Sequence, residues 1–195
     1  MKMRKEFLIA ATALFIIQSF TAMAFAETEK QKYRVVHSEK EFEIRFYPSA
    51  LLATVYSDAN TYRELAYPGF RKLAGYIFGG NESETKISMT SPVHMDMNSA
   101  SMSFVMPSAY SEESLPAPDD PSVKIERTDD VYVAAIRFGG FASDKDIRNY
   151  SEKLKSLLEE RDIKWYGSFR YLGYNPPFQP FGRRNEIIVN VQWKE

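Results

Sequence analysis

The chain has no cysteine among its 195 residues. That absence excludes disulfides, thiolate metal ligation, iron–sulfur clusters, thioether-linked cofactors, lipoprotein attachment and a cysteine nucleophile. Histidine is nearly absent too: His37 and His94 are the only two, so no multi-histidine metal site can be built. There is no glycine-rich phosphate loop and no nucleophile elbow. Acidic pairs exist at Asp119-Asp120, Asp129-Asp130 and Glu159-Glu160. They fall in turns or at a helix end and read as solvated surface. Nothing in the spacing of serine, histidine and acid residues singles out a triad, so the sequence gives no positive argument for an enzyme. A net charge of −1 is no footprint for nucleic acid or an anionic membrane. A small molecule or a protein remains as the expected partner.

What is present begins with a leader-like segment. Lys2, Arg4 and Lys5 precede an apolar run from Phe7 to Ile17, and Ala24-Phe25-Ala26 has the small-x-small cleavage pattern. We expect a secretory signal peptide over residues 1–26 and an exported, periplasmic or secreted, single domain over 27–195. The run is shorter than the ~20 residues that a membrane span needs. Cleavage would remove three basic residues and one acidic residue, taking the net charge from −1 to −3. No stable membrane anchor would then remain, and nothing in the sequence sets an oligomeric state.

Two stretches of the remaining chain follow the same order. Phe42, Ile44 and Phe46 alternate with charged residues, and Ala50 to Tyr56 gives a second β-type run. A helix is expected from about Asn60 to Phe78, then strands over Lys86–Met97 and Met102–Met106. The second half repeats this with Val123–Arg127, Val131–Phe138, a helix over Asp144–Arg161 capped by Ser143, then Trp165–Tyr174 and Glu186–Trp193. The expected fold is α+β: a distorted antiparallel β-barrel with two long outer helices, built from two β-β-α-β-β halves. The Ser/Glu/Pro/Asp-rich run Pro107–Pro121 joins them.

The two helices differ. In the second, Ile147, Tyr150, Leu154, Leu157 and Leu158 fall within an arc of about 100°, enough to seat one face on a sheet. In the first, Tyr62, Leu65, Ala66, Tyr67, Phe70, Leu73, Ala74, Tyr76, Ile77 and Phe78 spread over roughly 220°. Either a ligand or covering loops must take up the surplus, and Pro68-Gly69 leaves its direction open. Met89, Met95, Met97, Met102 and Met106 cluster in two neighbouring strands. They suit core filling, a soft ligand lining or a copper site.

The run from Gly173 to Glu186, Gly-Tyr-Asn-Pro-Pro-Phe-Gln-Pro-Phe-Gly-Arg-Arg-Asn-Glu, combines three prolines, three aromatics and two adjacent arginines. A stiff loop of this kind can hold apolar rings beside cationic donors, which suits a flat, apolar, anionic molecule. Read alone, its composition favours a rigid connector.

Taken with Lys86-Ile87-Ser88-Met89-Thr90-Ser91-Pro92-Val93, Phe104-Val105-Met106-Pro107-Ser108, Ser122–Glu126 and Phe138-Gly139-Gly140-Phe141, this run resembles the SOUL haem-binding family. The resemblance spans roughly Tyr33 to Trp193. It implies the distorted barrel and a non-covalent haem or other tetrapyrrole as cofactor. It also implies a pocket between the first helix and the loop before the last strand. Carried onto this sequence, the pocket takes Arg63, Phe70, Leu73, Ala74 and Ile77 from the helix, and Tyr174, Phe178, Phe181, Arg183 and Arg184 from the loop. The arginines would pair the propionates. Some family members carry a histidine, proposed as an iron ligand, at the position of Phe46, and a phenylalanine cannot ligate iron, so ligation would be absent or come from a tyrosine, a methionine, His37 or His94. The expected function is exported, non-catalytic tetrapyrrole binding. The rival reading is a sensor or interaction module that binds another apolar ligand or a protein partner on the same scaffold.

Overall fold

The computed structural model describes residues 28–194. The expected signal peptide lies outside them. Eleven strands and two helices follow in the order β1 (Glu29–Lys30), β2 (Arg34–Ser38), β3 (Glu43–Tyr47), β4 (Leu51–Tyr56), α1 (Tyr62–Ile77), β5 (Thr90–Ser91), β6 (Val93–Asp96), β7 (Ser101–Val105), β8 (Val123–Arg127), β9 (Val131–Phe138), α2 (Asp144–Glu159), β10 (Trp165–Gly173) and β11 (Asn185–Val191). Nine strands form one antiparallel sheet in the order β2-β3-β9-β11-β10-β6-β7-β4-β8. β1 and β5 pair separately and in parallel, through Glu29 with Thr90 and Lys30 with Ser91.

The expected barrel is corrected to an open sheet: among the described residues no pairing joins β2 to β8. Both end strands are short and carry charge, Arg34 on one and Lys124, Glu126 and Arg127 on the other, which discourages edge pairing. The strand expected over Lys86–Met97 is interrupted as well. Pro92 has no N–H to donate to a ladder, and on its two sides β5 pairs with β1 while β6 pairs with β7 and β10.

The sheet has two unlike faces. One carries Ile44, Ala53, Met102, Phe104, Ile187 and Val189 against Leu65, Leu73 and Ile77 of α1 and Leu154 and Leu158 of α2. The other carries a smaller cluster of Tyr47, Val133, Ala135, Leu172 and Ile188, with Tyr33 and Tyr174 packed on it. Alternation along β3 and β11 sends Arg45 and Glu186 to this second face.

The helices begin side by side. Thr61 caps α1 by accepting from Glu64 N, and Asp144 Oδ1, from the first turn of α2, accepts from Tyr62 N at 2.7 Å. Ser143 starts α2 with a full capping box to Asp146.

Candidate functional site

α1 presents one flank to solvent. Arg63, Tyr67, Phe70, Arg71, Ala74 and Phe78 follow at i, i+4, i+7, i+8, i+11 and i+15, so they stack along the same side. Tyr67 is 74% exposed and Phe78 63%. Phe70 is half-buried with its ring 5.3 Å from that of Phe104, which fixes its inner edge and leaves the outer one open. Arg63 and Arg71 are exposed, and Ala74 is half-buried. Of the five α1 residues expected at the site, Arg63, Phe70 and Ala74 therefore lie on this flank. Leu73 and Ile77, at 0% and 1% exposed, lie in the core and present no surface to a ligand. Tyr67, Arg71 and Phe78 were not among the expected residues. The wide apolar arc signalled such a surplus, but which side the sheet would take was not readable past Pro68.

The second part is the loop over residues 174–184. Phe178 and Phe181 project from it, each 84% exposed. Arg183 folds inward: its Nη1 donates to the carbonyls of Pro176 at 2.8 Å and Gln179 at 2.9 Å. Its guanidinium lies 4.6 Å from the ring centroid of Phe141, and its buried Nε–H has no partner. The loop stands at the end of the sheet where both helices start. Asn185 Nδ2 donates to Gly140 O just before α2, and the rings of Tyr62 and of Tyr171 on β10 meet nearly perpendicular with centroids 5.1 Å apart.

Tyr174 and Arg184 turn to the second face of the sheet instead. Glu186 is 0% exposed and accepts five hydrogen bonds from three side chains. Arg45 donates through Nη1 to Oε2 at 2.7 Å and through Nη2 to Oε1 at 3.1 Å. Arg184 donates through Nε and Nη2 to Oε1 at 2.9 and 2.7 Å, and Tyr174 donates its hydroxyl to Oε2 at 2.9 Å. Burial alone would raise the Glu186 pKa, but the bonds and charges of Arg45 and then Arg184 outweigh it and hold the carboxyl below its ordinary value. Burial likewise opposes the charge on Arg184, and the neighbouring Tyr174 and Glu186 more than offset it, so its pKa stands above normal. Arg184 is thus committed to a carboxylate of its own chain.

The histidines and methionines among the described residues are placed as follows. His94 is buried on β6, with Nε2 2.8 Å from Gln31 Oε1, and burial followed by nearby Arg170 lowers its pKa to about 3. His37 lies against Trp193, with ring centroids 5.3 Å apart. Met95, Met102 and Met106 are buried in the helix-side core and Met89 and Met97 pack on it, as core filling requires. Phe46 packs on Tyr132 at 5.2 Å.

Two cavities lie away from the loop. One of about 510 Å³ borders the outer side of α1, lined by Pro68, Arg71, Lys72, Gly75 and Tyr76 with Asp119 and Asp120. Its charges balance, so it does not select an anion. The other, about 340 Å³, lies beside residues 29–32.

The family model described as SOUL heme-binding protein matches residues 28–190. Heme-binding protein 1 of Xenopus laevis is 29% identical over 156 residues, covering 75% of this chain and 81% of the relative. Heme-binding protein 2 of Homo sapiens is 33% identical over 156 residues, covering 75% and 76% respectively. Among solved structures, a hydrolase from Listeria innocua superposes with a TM-score of 0.54 at 13% identity, covering 85% of this chain and 100% of that one. At that identity the likeness is one of fold.

Proposed function

The chain belongs to the SOUL heme-binding protein family, and on that premise we propose that it is an exported, non-catalytic protein that holds haem or another tetrapyrrole without a covalent bond. The observation that carries the reading is the solvent-facing flank of α1, where Tyr67, Phe70 and Phe78 surround Ala74 with Arg63 and Arg71 beside them. Tyr67 to Ala74 spans about 10 Å at the rise of an α-helix, comparable with a flat macrocycle. Haem supplies an apolar disc with two carboxylates at one edge. The flank supplies rings for the disc and guanidinium donors for the carboxylates.

Phe178 and Phe181 are the cover for the opposite side. Sequestering each ring, now 84% exposed, would contribute about 1.5–3 kcal/mol. Arg183, whose guanidinium makes no ion pair among the described residues, is the loop's propionate donor, while Arg184 stays with Glu186. Phe46 offers no ligand to iron, so hydrophobic cover and propionate pairing carry the affinity. The mirrored strand order about the β10–β6 pair supports two repeated β-β-α-β-β units, of which only the first keeps an open helix flank.

Haemin and metal-free protoporphyrin titrated side by side test the proposal. Both should perturb the Soret band, saturate at one equivalent and bind with similar affinity. Absence of a saturable change with either would overturn it, and strong preference for haemin would overturn the minor role given to iron.

A further inference from the structure

We propose that Glu186 is the positioning residue of the 174–184 loop, one buried carboxylate that ties the loop's two stems to each other and to the sheet. Its oxygens are shared in a regular way. Oε2 accepts from Tyr174, the first loop residue, and from Arg45 Nη1; Oε1 accepts from Arg184, the last loop residue, and from Arg45 Nη2. Each oxygen therefore holds one stem and one nitrogen of the same guanidinium. Arg45 stands on β3, separated from β11 by β9, and its Nε is fixed by Glu43 Oε2 at 2.7 Å.

The ring contacts reinforce the same points. Arg184 lies 4.0 Å from the centroid of Tyr174 and Arg45 lies 4.3 Å from that of Tyr33, whose hydroxyl accepts from Arg184 Nη2 at 2.9 Å. Between the stems, Tyr174 N donates to Arg184 O at 3.2 Å and Arg184 N to Asn175 Oδ1 at 2.6 Å. A buried ion pair that only filled a core would have no reason to take its partners from both ends of one loop. Glu186 sets where Phe178, Phe181 and Arg183 stand without touching a ligand. This role in binding rests on the proposed tetrapyrrole function; the clamp itself does not.

Two variants of the whole chain test it. Tyr174→Phe removes the hydroxyl that donates to Glu186 and keeps the ring under Arg184. Glu186→Gln keeps the shape and removes the charge that two guanidiniums share. In the ligand-free protein, amide exchange across residues 175–183 should quicken about tenfold in Tyr174→Phe, the scale of one bond to a charged group, and more in Glu186→Gln. Haemin dissociation should accelerate in the same order. Leu158→Val, a core change in α2, should lower the thermal midpoint and move neither readout. Unchanged loop exchange in Tyr174→Phe would overturn the clamp. Faster exchange with unchanged haemin dissociation would overturn its role in binding. If the wild type binds no haemin, the functional reading and the binding role fall together, while the exchange comparison still decides the clamp.

Discussion

α1 and α2 are both 16 residues long and both pack on the same face of the sheet, yet they dispose of their apolar residues differently. α2 buries Ile147, Leu154, Leu157 and Leu158, stacks Tyr150 on Phe138 at 4.2 Å, and shows solvent only polar or charged side chains such as Lys145, Arg148 and Glu152. α1 buries Leu65, Leu73, Tyr76 and Ile77 and still leaves Tyr67 and Phe78 outside. Packing on the sheet explains all of α2 and only part of α1. The remainder is surface that packing on the sheet does not account for, and it is where the proposed binding role is assigned.

The sharpest way to break the comparison is to injure the helix that has only a structural task. Leu154 is 0% exposed, and Leu154→Ala should cost about 2–5 kcal/mol by denaturant unfolding. Haemin affinity, measured well below the unfolding transition, should not change. A loss of affinity matching the loss of stability would mean that α2 also shapes the site. The converse experiment is Tyr67→Ser combined with Phe78→Ser. Unfolding should shift by no more than about 0.5 kcal/mol per exposed position. The haemin dissociation constant should rise about tenfold, the equivalent of roughly 1.4 kcal/mol of lost contact. A pair of changes that destabilised the fold and spared binding would reverse the roles assigned to the two sides of α1.

Much of this asymmetry was legible in the sequence, because helical periodicity measures the width of an apolar arc directly. Five apolar residues within about 100° identified α2 as a one-faced helix, and Ser143 marked its start. The excess on α1 was equally visible. Its direction was not, since Pro68 could have begun or kinked the helix, and only the burial of Leu65, Leu73 and Ile77 fixes which side faces the sheet. Strand order shows a different limit. The alternation of β3 was readable, but its pairing with β9 rather than with β4 is a non-local choice that no local pattern encodes. The same distance hid Glu186: Arg45 and Glu186 are 141 residues apart, so the loop's two arginines looked alike until one proved to be neutralised within the chain.

A smaller test concerns how the helices start. Ser143 and Asp146 exchange both bonds of a capping box, at 3.2 and 3.1 Å. In α1, Thr61 accepts from Glu64 N at 3.2 Å, but the Glu64 carboxylate reaches back to Asn60 N, and Asp144 serves Tyr62 N. Ser143→Ala should therefore cost about 1 kcal/mol, and Thr61→Ala less, because a neighbouring element shares the work of capping α1. Equal losses would show that Asp144 contributes nothing there.

The smallest expected effect has the opposite sign and locates the edge of the site. Gly75 is an exposed glycine inside α1, and a Cβ added there would meet nothing within 4 Å. Its backbone needs no left-handed conformation, so Gly75→Ala should stabilise the protein by about 0.5–1 kcal/mol through the lost flexibility of the unfolded chain. Gly75 lies beside the flank of Arg63, Tyr67, Phe70 and Ala74, on the side that borders the cavity with Arg71 and Lys72. If the macrocycle rests on that flank, the added methyl is outside its footprint and haemin affinity should hold while the unfolding midpoint rises. A fall in affinity together with the gain in stability would move the disc around the helix, over Gly75. The open position would then be the place where a ligand approaches the backbone, and the contrast with α2, which has no glycine on its exposed side, would widen by one residue.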